Sequence, residues 1–234
     1  FRLAVKNTLH FVLVCIPALM AFSLWTAILV TGAADSRSLY KTTIMLPMAI
    51  PVASVVLLWK LLLYPQGLLD QLVVWAGGRG QDWLNQESAF YILVLTYIWK
   101  NTGYDMMLWL AGLDGIPKEL FEAAKVDGAN AVQRFFKITL PYMLYVTTPY
   151  LIVTFTGNVN NFNIIYLLSG GDPVTDLAST AGKTDLLVTW LYKLTIDKQY
   201  YNIGAVIGIL TFIILAVGAL LTYRNSKSYK EGGI

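Results

Sequence analysis

Five stretches of about twenty predominantly apolar residues recur along this sequence, at about 9–30, 42–63, 89–113, 142–168 and 203–223. Each is long enough to carry a helix across a bilayer core some 30 Å thick. Hydrocarbon offers no partner to free backbone groups, so such segments are expected to be helices that bond internally. Composition agrees, with 234 residues of which 56% are hydrophobic and 13% charged, and a mean hydropathy of +0.58. The expected fold is all-α, a polytopic membrane protein with residues 1–234 forming a single transmembrane domain. A formal net charge of only +3 gives no reason to propose nucleic acid as a partner. The chain begins Phe1-Arg2-Leu3, without an initiator methionine or a signal peptide, and is expected to be part of a longer polypeptide.

Within the spans, prolines and polar residues mark the exceptional places. Pro17 is a possible kink in the first span, while Pro47 and Pro51 in the second each remove a helix hydrogen bond and free a carbonyl. Such freed groups must face protein or a wet cavity. The connection from Pro65 to Ser88 contains GGRG, which lacks the GxxxxGK[ST] spacing of a phosphate-binding loop and reads as a plain turn. No cofactor is expected in this chain, and any ATP and Mg used must be bound by a partner. Cys15 and His10 are the single cysteine and the single histidine, which excludes an intrachain disulfide and a typical metal site; His10 is expected near a membrane boundary.

The segment 117–141, PKELFEAAKVDGANAVQRFFKITLP, is the long polar interval between two strongly apolar ones. Pro117 suits a helix start, KELFEAAKV is made of good helix formers, and Gly128 stands where a left-handed residue would end the helix. A second short helix is expected from about Ala129, stopping at Pro141. Small residues at 123, 124 and 129 leave room for a partner's groove. Glu122, Ala123, Ala124, Gly128, Ile138, Leu140 and Pro141 reproduce the spacing of the EAA motif, and Asp127 and Ala129 complete the form EAAxxDGA. In this the chain resembles the permease subunits of binding-protein-dependent ABC importers. The resemblance implies a type I importer transmembrane fold. It makes Glu122, Ala123, Ala124, Asp127, Gly128, Ala129 and Pro141 part of a coupling helix that sits in a cleft of a cytoplasmic ATPase. The alternative is an amphipathic helix lying on the membrane, with Phe121, Phe135 and Phe136 buried in lipid.

Five spans put the coupling segment and the C-terminal tail on one side. Arg37, Lys41, Lys118, Lys125, Arg134, Lys137, Arg224, Lys227 and Lys230 fall there, against Arg2, Lys6, Arg79, Lys183, Lys193 and Lys198 in longer connections opposite. The positive-inside rule makes the coupling side cytoplasmic, and the resemblance implies a bacterial inner membrane. Cysteines at 36, 125 and 228 are then expected to react from the cytoplasm, and those at 78 and 179 from outside.

Intramembrane polar residues usually face a bundle interior or a water-filled route. At helical spacing Tyr150, Thr154, Asn158 and Asn161 share one stripe of the fourth span, with Asn160 and Asn163 pointing elsewhere; Tyr97, Lys100, Asn101 and Tyr104 share a face of the third. Aromatic rings with amides and hydroxyls suit a sugar, whereas helix packing through asparagine is the alternative for any one of these residues. Lys100 could meet an acidic oligosaccharide, but pairing with Asp105 or reaching a wetter part of the path is the favoured reading. The segments FFKITLP, VNNFNIIYLLSGGDP and AGKTDLLVTWLYKLT resemble maltose and maltodextrin permease subunits, with IMLPMAIP and WKNTGYDMMLWLAGLDGIPKEL extending the likeness. That resemblance implies sugar contacts at Tyr104, Asn158 and Asn161, which match in type. Met48, Val52, Tyr97, Asn101 and Thr154 occupy contact positions where the maltose pattern differs, which leaves the particular sugar open.

The implied assembly has a second homologous permease, two ATP-binding subunits and an extracytoplasmic sugar-binding protein around this chain, within membrane lipid. A gradient-driven transporter or channel would show similar stripes but has no use for a docking loop. An intramembrane hydrolase would need a nucleophile with a partner base, for which Cys15 and His10 make no convincing pair, so no enzyme activity is expected.

Overall fold

The computed structural model describes residues 1–32, 36–84, 88–174 and 180–225, and these residues form helices and connections without a strand. Residues 179, 227, 228 and 230, used above for sidedness, lie outside the described residues.

Helix α1 (Arg2–Gly32) buries a stripe that includes Ala4, Thr8, Phe11, Cys15, Leu19, Ser23, Ala27 and Val30. The steps of three and four residues keep these side chains on one face. The face packs along α5 (Ala89–Asp114), where the Trp109 indole donates to Ser23 Oγ at 2.9 Å. Polar residues on this seam are satisfied locally: Thr8 and Ser23 donate to the carbonyls four residues earlier, at 2.8 and 2.6 Å. His10 is exposed and stacks on Phe90, centroids 4.4 Å apart.

Among the described residues, four helical runs are long and apolar enough to cross a membrane: Arg2–Gly32, Val52–Trp75, Ala131–Ser169 and Tyr201–Leu221. The third expected span, α5, is not among them, since it carries Lys100, Asn101, Asp105 and Asp114 along its 26 residues. The second span is displaced from the expected 42–63. Its first half is a separate helix, α2 (Arg37–Ala49), which ends at Ile50 in extended backbone before Pro51 starts α3 (Val52–Leu63). The connection expected over 65–88 contains another short helix, α4 (Leu68–Trp75), held by Asp70, which accepts from the amides of Gln66 and Gln81.

Beyond α5 come α6 (Lys118–Val126), α7 (Ala131–Arg134) and α8 (Leu140–Val159). The helix beginning at Ala131 does not stop at Pro141 as expected. A π-turn over Phe135–Thr139 lets the Leu140 amide reach the Phe135 carbonyl, so the chain is already in α8 when the proline arrives in its first turn, where a missing N–H costs little. The fourth span is likewise not continuous over 142–168: α8 ends at Val159, and α9 (Asn163–Ser169) begins after a break.

The connection before the last span is also partly helical, with α10 (Leu187–Tyr192) and a π-turn over Lys193–Asp197. Asp185, fully buried, organises it: its carboxylate accepts from the Gly182 amide, from Thr189 Oγ1 and from Lys193 Nζ, at 2.8 to 2.9 Å. Asn7 of α1 donates to the carbonyls of Gly182 and Asp185 and Thr8 accepts from the Leu187 amide, fastening this segment to the start of the chain. The last helix, α11 (Tyr201–Asn225), leaves Val206, Ile209, Phe212, Ile214 and Leu220 largely exposed, an apolar exterior that suits lipid or another membrane helix.

Candidate functional site

The two helix breaks meet. The Ile50–Pro51 interruption and the end of α8 border one cavity of about 450 Å³ against the middle of α5. Its walls include Tyr97, Lys100, Asn101 and Tyr104 from α5, and Thr154, Asn158 and Asn161 from α8 and the break. These seven side chains, all read from the sequence as lining a sugar path, thus border one space together with Met48 and Val52. The volume lies in the range of small-molecule sites.

Asn160 and Asn163, expected to point elsewhere, line the same cavity, because the helical phase used to place them ends at Val159. Tyr150, Asp105 and Phe162 also line it. Only Tyr150 among these three stood on a predicted stripe; for Asp105 the one available signal was a carboxylate in an apolar run. The rings of Tyr104 and Tyr150 lie 6.1 Å apart, and Tyr104 is half exposed toward the opening.

Lys100 does not pair with Asp105. Its ammonium donates to the carbonyls of Pro47 and Ile50, at 3.1 and 2.8 Å. Pro51 has no N–H to offer Pro47, and Ile50 lies outside either helix, so these are the carbonyls that the break frees. Two charge-assisted bonds settle both acceptors and the cation. Gly103, three residues on, allows the close approach this needs: a β-carbon there would sit 2.7 Å from Met45 Cα and would also press on the Ile44 carbonyl. Asp105 instead accepts a bond from the Tyr150 hydroxyl on Oδ1.

The amides of the cavity are aligned by their own helix. Asn101 and Asn158 each donate Nδ2 to the carbonyl four residues earlier, at 2.8 Å. Asn158 Oδ1 and Asp105 Oδ2 are left buried without a partner.

The coupling segment lies at the far end of α5. The amides of Ala129 and Gly128 bond to the carbonyls of Ala124 and Lys125, at 2.9 and 3.1 Å, which closes α6 in a Schellman motif with Gly128 at φ +76°. Asn130 and Gln133 then exchange side-chain and backbone bonds at 2.9 Å in a capping box that starts α7. The turn is therefore specified from both sides. Glu122, Ala123, Asp127, Gly128 and Pro141 are exposed, with Ala124 and Ala129 half-buried. Phe121 and Phe135 pack inward beside Ile116 and Met143, leaving only Phe136 of the three expected lipid anchors exposed. Val126, Val132 and Leu120 join it in an apolar outer face.

A helical bundle with a polar cavity at paired helix breaks, and a helix–turn–helix presented at one end, suits a membrane subunit of a transport system. The chain belongs to the family of binding-protein-dependent transport system inner membrane components, whose sequence pattern matches residues 11–228. It is 34% identical over 198 residues to the galactooligosaccharides transport system permease protein GanP of Bacillus subtilis, covering 83% of this chain and 47% of that protein. It is 33% identical over 201 residues to the maltose/maltodextrin transport system permease protein MalF of Vibrio parahaemolyticus, covering 83% of this chain and 38% of that one. The chain thus spans less than half the length of these two relatives. Among solved structures it resembles a chain of a bacterial alginate ABC transporter in complex with alginate pentasaccharide-bound periplasmic protein, with TM-score 0.85 and 25% identity over 97% of this chain and 78% of that one.

Proposed function

We propose that this chain is the permease core of an ATP-driven importer and forms half of the translocation path for an oligosaccharide delivered by an extracytoplasmic binding protein. The observation that carries this reading is the convergence of Tyr97, Lys100, Asn101, Tyr104, Thr154, Asn158 and Asn161 on one cavity where two helices are interrupted. Rings supply stacking surfaces and amides supply bonds to hydroxyls, the combination a sugar needs. The similarity to galactooligosaccharide and maltodextrin permeases supports a sugar, with maltodextrin as the particular choice. The likeness to an alginate transporter favours an acidic saccharide as a second reading.

In this proposal residues 1–234 form one transmembrane domain of five spans, with α5 as the third and its polar residues turned inward. Glu122, Ala123, Ala124, Asp127, Gly128, Ala129 and Pro141 belong to the segment that docks on an ATPase. The exposed apolar face around Val126 and Phe136 supports that role. A second homologous permease completes the path, two ATP-binding subunits hold ATP and Mg, and the coupling segment and tail lie in the cytoplasm of a bacterial cell. This chain contributes no chemical step of its own. Its work is to bind the sugar and to transmit the motion of the ATPases through α6 and α7 into α5 and α8. The test is ATP hydrolysis by the assembled complex in the presence of the binding protein and candidate sugars. Stimulation by a loaded binding protein is expected. Equal hydrolysis with every saccharide and with none would refute the sugar reading.

A further inference from the structure

The sugar reading above leaves one side chain without a task. Asp105 is 1% exposed and lines the cavity, and its Oδ2 has no hydrogen-bond partner. A buried polar group left unpaired is costly, and a bare carboxylate oxygen more so. Such an atom beside a binding cavity points to a partner that arrives with the ligand. Asn158, 2% exposed on the facing helix, presents a second acceptor in the same condition, Oδ1.

Both vacant atoms accept, so the ligand must donate. The one cation in the cavity wall is already spent on the Pro47 and Ile50 carbonyls, and among the described residues no cation lies within ion-pair distance of Asp105. The Tyr150 hydroxyl fixes Asp105 through Oδ1 and leaves Oδ2 as the free acceptor. A sugar hydroxyl satisfies such an atom. A sugar carboxylate would bring a third acceptor and a like charge into a poorly screened space.

We propose that Asp105 is a sugar-binding, specificity-determining residue that accepts a hydroxyl of a neutral oligosaccharide beside Asn158 and excludes uronate-bearing ones. The proposal rests on the sugar reading and decides between its two forms.

The test is equilibrium binding of labelled trisaccharides to the purified assembled complex in lipid nanodiscs, held with a non-hydrolysable ATP analogue and without the binding protein, so that the cavity alone is read. Matched pairs are compared: maltotriose against its C6-oxidised counterpart, and α-1,4-linked galactotriose against trigalacturonate. The unmodified complex is expected to bind a neutral member at least tenfold more tightly than its uronate partner. Asp105→Asn is nearly isosteric and keeps an acceptor for Tyr150. It should weaken neutral binding about tenfold, as expected for losing a hydrogen bond to a charged group, and should narrow the gap between the pairs. Equal binding of neutral and uronate sugars by the unmodified complex overturns the proposal, and so does an Asp105→Asn complex that binds and discriminates like its parent. If Asp105→Asn fails to assemble, the matched pairs on the unmodified complex still decide. Binding of neutral sugar without any Asp105 effect refutes this inference alone, whereas absence of binding for every saccharide refutes the sugar reading with it.

Discussion

Lys100 Nζ lies 2.8 Å from the carbonyl oxygen of Ile50, and that bond joins the middle of α5 to the one place where the α2–α3 run is not helical. The same ammonium takes the Pro47 carbonyl, so a single side chain closes the opening that two prolines make. The consequence reaches the cavity, because Met48 and Val52 flank this break and form part of the wall. Lys100 therefore acts on the shape of the site, and its charge is not free for a ligand.

Replacing Lys100 with methionine leaves both carbonyls without a donor. A loss of about 1.5 to 3 kcal/mol is expected, the range for hydrogen bonds to charged groups. It should appear as a lower thermal midpoint of the purified complex together with weaker sugar uptake, and Lys100→Arg should restore part of both. An unchanged midpoint in Lys100→Met would show that the bonds carry no weight.

Gly128→Val places a β-branched residue at φ +76°, a region such residues avoid at a cost of about 1 to 3 kcal/mol. Open space surrounds the position, so the backbone alone is responsible. The expected result is reduced recovery of the ATPase with the permease and reduced uptake, with Glu122→Ala milder in both. Full ATPase recovery and normal uptake in Gly128→Val would remove the coupling role from this segment.

The proposed five-span arrangement sets the expected sidedness. Cysteine at Ser36 or Lys125 is expected to react with impermeant reagents only from the cytoplasm, and cysteine at Gly78 only from outside. Gly78 and Lys125 are exposed, and Ser36 is half-buried at the start of α2. Labelling of positions 78 and 125 from the same side of sealed cells would contradict the topology.

In the cavity, Asn158→Ala and Asn161→Ala should each lower sugar uptake several-fold, the effect of one neutral hydrogen bond worth about 0.5 to 1.5 kcal/mol. Tyr104→Ala should cost more, since it removes a stacking face as well as a hydroxyl. Complex assembly should stay normal because none of the three belongs to the coupling turn. Parental uptake in all three variants would return them to helix packing.

Much of this was legible along the chain. Hydropathy located most of the bundle, because a bilayer requires an apolar run of about twenty residues whatever its neighbours. The turn after α6 was partly legible for a local reason: Gly128 was read as its left-handed end, whereas the Asn130–Gln133 capping box that starts α7 at Ala131, two residues later than expected, was not. The two α5 and α8 stripes were found for the same reason, since helical phase places Tyr97 with Tyr104 and Thr154 with Asn158.

What sequence periodicity could not supply was where the helices break and what meets at the breaks. Helical phase was carried past Val159, which misplaced Asn160 and Asn163, and Pro141 was read as a stop although a π-turn upstream admits it into α8. The sequence by itself determined the membrane class, most of the apolar helical stretches and the left-handed close of α6 at Gly128, all of which depend on short-range backbone preference and on transfer from water to lipid. Only the tertiary structure decided that Lys100 belongs to the carbonyls of Pro47 and Ile50 while Asp105 belongs to Tyr150 and the cavity. Those partners are 45 to 53 residues apart in the chain, and which acceptor a buried ammonium takes is set by which unpaired groups the packed helices bring within about 3 Å of it.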